Sequence, residues 1–244
     1  MNLTSLSIIL FLFLFTIATP RPASARTKHV LMLVTGADRT LQGKQTGIWL
    51  EEYTVPYLLF SQAGYDITVA SPMGGNVPID PGSVGKESPE DWKEAIALLA
   101  NTKPIETMSA TDFDAIFFPG GHGAMFDLAD NQQVKNLLTE LERADKVIAA
   151  VCHGPAGLVG AKKADGTPLV AGKSITSFTD AEESAAGKVD DAPFLLETKL
   201  REEGGNFIIG EKWASHVQVD GKLVTGQNPA SSKAIAEAVI KLLQ

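Results

Sequence analysis

Cys152 is the only cysteine among 244 residues, and it follows the run Val147-Ile148-Ala149-Ala150-Val151 and precedes His153-Gly154-Pro155-Ala156-Gly157. A continuous apolar run ended by Gly and Pro reads as a buried strand breaking sharply into a helix, with the thiol at the bend. A sulfur held there faces open space above the sheet edge, and N–H groups at a helix start favour its thiolate. A lone cysteine also serves as a small apolar core residue. The adjacent His153, and a bend similar to the strand-turn-helix elbow of hydrolases, point instead to a nucleophile.

A second cluster, Gly120-Gly121-His122-Gly123, follows the apolar stretch Ala115 to Pro119. It has neither the GxGxxG spacing of dinucleotide sites nor the Lys-Ser/Thr ending of a phosphate loop. A flexible turn accounts for such glycines. The functional alternative is that they let backbone N–H groups approach a developing oxyanion, Gly121 and His153 together forming the hole. His122 either lines the same cavity or packs.

The elements that must position these groups alternate along the chain. Strands are expected at His29–Thr35, Asp66–Ala70, Ala115–Pro119, Val147–Val151, Ser174–Phe178, Phe207–Ile209 and Lys222–Thr225. Helices are expected at Gly47–Ala63, Glu90–Ala100, Gln132–Arg143, Ala192–Glu203 and Ser231–Leu242. Alternation of this kind implies an α/β fold, a mostly parallel sheet with helices on both faces. Sites in such sheets lie outside the carboxyl ends of the strands, so the glycine loop and the cysteine share one crevice. Pro72 to Pro89, rich in Gly, Pro, Ser and Asp, reads as a long surface loop overhanging it.

Length and a hydrophobic content of 44% suit a single well-filled domain. Residues 1–25 stand apart: Leu6 to Ala18 is almost unbroken apolar sequence, followed by Pro20, Pro22 and Ala23-Ser24-Ala25. That is the pattern of a secretory signal, too short for a comfortable membrane span, although no Lys or Arg precedes the apolar run. Cleavage near Ala25 leaves a domain over residues 26–244 and an exported protein; retention would make the segment an anchor. Loss of Arg21 with the leader takes the net charge from −8 to −9. So acidic a chain does not seek nucleic acid or an anionic membrane. Export normally invites disulfides, but one cysteine cannot form an internal bridge, leaving a reactive or intermolecular thiol.

Four motifs in order carry a family likeness: Thr46-Gly47-Ile48-Trp49-Leu50-Glu51-Glu52, Phe118-Pro119-Gly120-Gly121-His122-Gly123, Val151-Cys152-His153-Gly154-Pro155-Ala156, and Thr225-Gly226-Gln227-Asn228-Pro229-Ala230-Ser231-Ser232. The chain resembles the DJ-1/PfpI superfamily, related to class I glutamine amidotransferases, in its branch of glutathione-independent glyoxalases and holding chaperones. The resemblance implies a flavodoxin-like, doubly wound fold and a homodimer. It implies that Glu52, on the first helix, contacts the elbow cysteine, with Glu51 facing elsewhere. It further implies an acid that orients His153. Glu183 is the choice, with Glu182 and Asp180 as fallbacks, because three carboxylates within one turn are inseparable by sequence.

Some members of the broader branch carry two histidines and a carboxylate as metal ligands; here Ser61 stands where one histidine would sit, leaving His122 without a partner. No metal and no organic cofactor are expected. The resemblance thus implies catalysis by Cys152, His153, Glu52 and Glu183, converting a small 2-oxoaldehyde such as methylglyoxal to a 2-hydroxy acid. The readings set against it are a holding chaperone, a thiol oxidation sensor, and a cysteine amidase or peptidase sharing the same elbow.

Overall fold

The computed structural model describes residues 26–85 and 89–244. The expected leader, residues 1–25, and residues 86–88 of the expected loop lie outside the described residues. The strands are β1 (His29–Leu33), β2 (Asp66–Ser71), β3 (Lys103–Pro104), β4 (Ala115–Phe118), β5 (Val147–Val151), β6 (Ser174–Ile175), β7 (Asn206–Phe207), β8 (Val217–Asp220) and β9 (Leu223–Gly226). The α-helices are α1 (Leu50–Gln62), α2 (Lys93–Leu98), α3 (Ala124–Asp127), α4 (Gln132–Arg143), α5 (Asp180–Ala185), α6 (Leu196–Glu202) and α7 (Ser232–Leu243).

Seven strands form one sheet in the order β3-β2-β1-β4-β5-β9-β8. All neighbours are parallel except β8, which returns antiparallel to β9 through Gly221. This is a flavodoxin-like α/β sheet with its order reversing beside β1, so the crevice opens at the carboxyl ends of β1, β4 and β5. The central strands are apolar throughout because both faces are covered, β4 and β5 having every residue buried. Two separate cores result. Phe60, Phe117, Tyr53 and Val239 pack on the face of α1 and α7, and Phe118, Leu128, Leu138 and Leu141 on the face of α4.

At the amino end of the sheet, Asp114 gathers the Arg26 guanidinium at 2.6 Å, the His29 N–H at 2.9 Å and Lys146 at 3.4 Å. This end is tied by charge, the opposite one by the site.

Several expected elements shift. The helix expected from Gly47 starts at Leu50, because Gly47 and Ile48 lie extended, with the Ile48 N–H on Pro78 O at 2.9 Å. The strand expected over Ser174–Phe178 keeps two residues and pairs only with β7, in a small separate sheet. Its apolar character comes from packing at the sheet end rather than from membership of the main sheet. The half-exposed β8 and the two-residue β3 carry too little pattern to read in advance.

Candidate active site

The chain leaves β5 at Val151 and reverses at Cys152, whose φ of 60° is a left-handed conformation costly for a side-chain-bearing residue. Such strain at a single non-glycine residue is held by its surroundings: Cys152 N–H donates to Gly226 O and the Phe178 N–H donates to Cys152 O, both at 2.9 Å. The chain then enters a five-residue 3-10 helix, Gly154–Leu158, with Pro155 in its first turn, rather than the α-helix expected from the sequence. Gly154 and Gly157 allow that turn to press on Phe118.

The sulfur lies at the floor of a cavity of about 520 Å³, lined by Trp49, Gly121, His122, His153, Phe178 and Trp213 among others. Cys152 itself is 3% exposed. Burial first, and the Glu52 carboxyl beside it second, push the thiol well up, while the His153 N–H pulls the other way. This corrects the expectation of a resting thiolate kept by a helix start: one short 3-10 turn does not offset desolvation.

His153 Nδ1 stands 3.4 Å from Cys152 Sγ, and its Nε2 stands 2.7 Å from Glu183 Oε2. Burial works to raise Glu183, but hydrogen bonds from His122 and His153 outweigh it and hold the carboxyl well below the usual range, ionised and acceptor-only. The shared proton therefore sits on Nε2, and Nδ1 presents a lone pair to the sulfur. Burial first, then the neighbouring His122, lower His153 to about 4, so the ring is neutral near pH 7 and able to take the thiol proton. Of the three acids that sequence could not separate, Glu183 reaches the imidazole, Glu182 points into other hydrogen bonds, and Asp180 pairs with Thr198 at the surface.

Glu52 is fully buried on α1, where burial raises it strongly and the Cys152 thiol and Gly120 N–H lower it. Neither carboxyl oxygen has a hydrogen-bond partner of ordinary geometry among the described residues. Two buried acids side by side cannot both ionise cheaply, so the Glu52–Cys152 pair retains at least one proton. Gly120 makes the approach possible: a Cβ there would run into the Glu52 carboxyl and lie 2.8 Å from Cys152 Cβ. Glu51 is exposed, facing elsewhere.

Gly121 has φ of 101°, a conformation that favours glycine. No backbone carbonyl takes the N–H of Gly121 or of His153 among the described residues. The Gly121 N–H is without a protein acceptor among the described residues, whereas the His153 N–H bears on the Cys152 sulfur.

His122, left by the sequence either to line the cavity or to pack, lines it and is held by Glu183. Its Nε2 lies 2.7 Å from Glu183 Oε1, and its ring centroid lies 4.0 Å from that of His153. The sequence hides this link because 61 residues separate the pair. Ligand atoms of His122, His153 and Glu183 fall within 4.8 Å of one another, so these three are the residues that could hold a cation. A cation there would displace both 2.7 Å hydrogen bonds on Glu183. The loop expected to overhang the site does so through Asp80, Pro81 and Gly82, with Trp49 packed on Gly82. Phe178 and Trp213, which sequence reasoning passed over as site residues, complete the wall.

The DJ-1/PfpI family model matches residues 45–242. The chain belongs to the DJ-1/PfpI family. Within it, the chain is 32% identical to a glutathione-independent glyoxalase of Schizosaccharomyces pombe, over 83% of its own length and 89% of that protein's. The crystal structure of glyoxalase III from Candida albicans superposes with a TM-score of 0.80 at 31% identity, covering 88% of this chain and 97% of that one. The Francisella tularensis Rapid Encystment Protein of 24 kDa is similar too, with a TM-score of 0.85 at 34% identity, covering 89% and 100%. The DJ-1/PfpI motifs noted in the sequence thus meet at one crevice: the first helix through Glu52, the glycine loop through Gly121, the elbow through Cys152.

Proposed function

We propose that this DJ-1/PfpI protein is a glutathione-independent glyoxalase that converts a small 2-oxoaldehyde, methylglyoxal in the first instance, to its 2-hydroxy acid. The observation that carries the reading is the relay Cys152 Sγ···His153 Nδ1 at 3.4 Å and His153 Nε2···Glu183 Oε2 at 2.7 Å, at the floor of the cavity. The names of the relatives support the same reaction.

His153 takes the thiol proton as the sulfur attacks the aldehyde carbon, and Glu183 stabilises the imidazolium that forms. The hemithioacetal oxygen is received by the Gly121 N–H. A proton leaves the former aldehyde carbon and returns to the adjacent carbonyl carbon through an enediol, moved by His153 or by Glu52, leaving a 2-hydroxy thioester. Water hydrolyses that thioester, releasing the acid and restoring the thiol. The aldehyde carbon is oxidised and its neighbour reduced within one molecule, so no external thiol or redox partner enters.

A thiol oxidation sensor needs an ionised, exposed sulfur, whereas burial pushes the Cys152 thiol up. The homodimer and export after cleavage near Ala25 form part of the proposal, to be checked by light scattering and by amino-terminal sequencing of the mature chain. The deciding test follows methylglyoxal, amides and peptides together by NMR. Wild type is expected to yield lactate and Cys152→Ala none; full consumption by Cys152→Ala refutes the reading.

A further inference from the structure

The cavity is far larger than methylglyoxal needs. Water occupies roughly 30 Å³ per molecule, so an aldehyde of five heavy atoms fills on the order of 100 Å³. The space above Cys152 is about 520 Å³ and opens to solvent, with Trp49, Phe178 and Trp213 in its walls beside the polar Gln45, Asp80 and Lys188. Phe178 lies 4.5 Å from the His153 ring, and Trp213 lies 5.6 Å from Phe178, so an apolar shelf runs outward from the reacting sulfur.

Trp213 is held there against its own preference. Its φ of 63° is left-handed, where a bulky residue is strained, and its side chain stays half exposed. The restraint is Glu182, fully buried although it is an acid. Glu182 Oε1 accepts from the Trp213 N–H at 2.9 Å, Gln227 Nε2 at 3.1 Å and Asn228 Nδ2 at 2.8 Å. Its Oε2 accepts from the Thr179 N–H at 3.1 Å and Thr179 Oγ1 at 2.9 Å. The proposed chemistry uses none of these contacts. They join α5, the loop carrying Trp213 and the Gln227-Asn228 turn through one carboxylate.

Building on the glyoxalase reading, we propose that this site selects 2-oxoaldehydes bearing an aromatic substituent, which stacks on the Phe178–Trp213 shelf, and that Glu182 is the residue positioning Trp213 for that contact. The reaction is unchanged: the aryl ketone carbon is reduced and the aldehyde carbon oxidised within one molecule.

Steady-state turnover of phenylglyoxal and methylglyoxal tests this in wild type, Trp213→Ala, Glu182→Gln and the double variant. Wild type is expected to favour phenylglyoxal in kcat/KM by roughly tenfold, the scale of one well-buried aromatic contact. Trp213→Ala brings that ratio near one through the KM for phenylglyoxal. Gln at position 182 keeps one acceptor but sets an amide against the Thr179 donors, so Glu182→Gln lowers the ratio in the same direction. In the double variant the ratio equals that of Trp213→Ala, because both changes act on one wall. A wild-type ratio at or below one, or a ratio unmoved by Trp213→Ala, overturns the preference; additive losses overturn the route through Trp213. Fluorescence titration with mandelate and lactate, the two product acids, separates this from the reaction itself. If neither aldehyde is turned over but mandelate binds roughly tenfold tighter than lactate, only the glyoxalase reading fails. Equal affinities end the inference made here.

Discussion

Replacing Glu183 by Gln tests the relay at its most electrostatic point. The carboxylate accepts from His153 and His122 at 2.7 Å each, and both hydrogen bonds are charge-assisted. Glutamine has one acceptor, so one imidazole N–H is left facing an amide N–H in a site where His153 is 1% exposed. Losing a hydrogen bond to a charged group costs about 1.5–3 kcal/mol, and removing the anion that stabilises the imidazolium adds a comparable amount. The sum, roughly 3–6 kcal/mol on the step that forms the thiolate, corresponds to a fall of about 10²–10⁴ in kcat/KM. The assay is methylglyoxal consumption with lactate quantified, accompanied by a thermal melt to establish that Glu183→Gln is folded. A folded Glu183→Gln within tenfold of wild type would show that the anion does not support the transferred proton.

Other expectations rest on the same geometry. Activity should rise with pH as His153 loses its proton, with an acid limb near 4, whereas a limb near 6.5 in the kcat/KM profile would contradict the burial argument. In wild type, stability between about pH 4 and 6.5 carries two opposed slopes: the unfolded chain protonates His153 where the folded chain does not, and the buried Glu52 keeps a proton that the unfolded chain gives up. Glu52→Gln removes the second, so its denaturant melts should show stability rising by roughly 3 kcal/mol across that window, and a flat profile in Glu52→Gln would refute the His153 assignment. His122→Phe removes a neighbour that depresses His153, so the acid limb should move to higher pH. Gly120→Ala, with a Cβ driven into Glu52 and lying 2.8 Å from the cysteine Cβ and from Val151 O, should cost about 1–3 kcal/mol in melts and abolish most turnover; wild-type kinetics would show that the carboxyl is free to move aside.

The sheet was legible because apolar runs such as Val147–Val151 are covered on both faces, and few other structures bury every residue of a five-residue segment. The antiparallel β8 was not, since its residues are mostly half-buried and carry no alternation. At the site, Cys152 and His153 are adjacent in the chain, so their pairing could be read directly. The separation of Glu182 from Glu183 could not, because it depends on the phase of α5, set by the Thr179 capping box in which Glu182 takes part. A Thr-x-x-Glu capping box was visible in the residue spacing and would have assigned Glu182 a structural duty, leaving Glu183 to the histidines. The His122–Glu183 contact had only a topological signal: a histidine at the end of one central strand, next to the strand that bears the nucleophile.

The cluster around Asp114 fixes the polypeptide's entry at the amino ends of the strands, and β1 alone then carries it five residues, roughly 17 Å, toward the crevice. Anything joined ahead of Arg26, whether a tether, a fusion partner or a solid support, leaves from the pole remote from the opening. A preparation immobilised through that side would keep its mouth turned to the solution, whereas coupling through Lys188 at the rim would obstruct it.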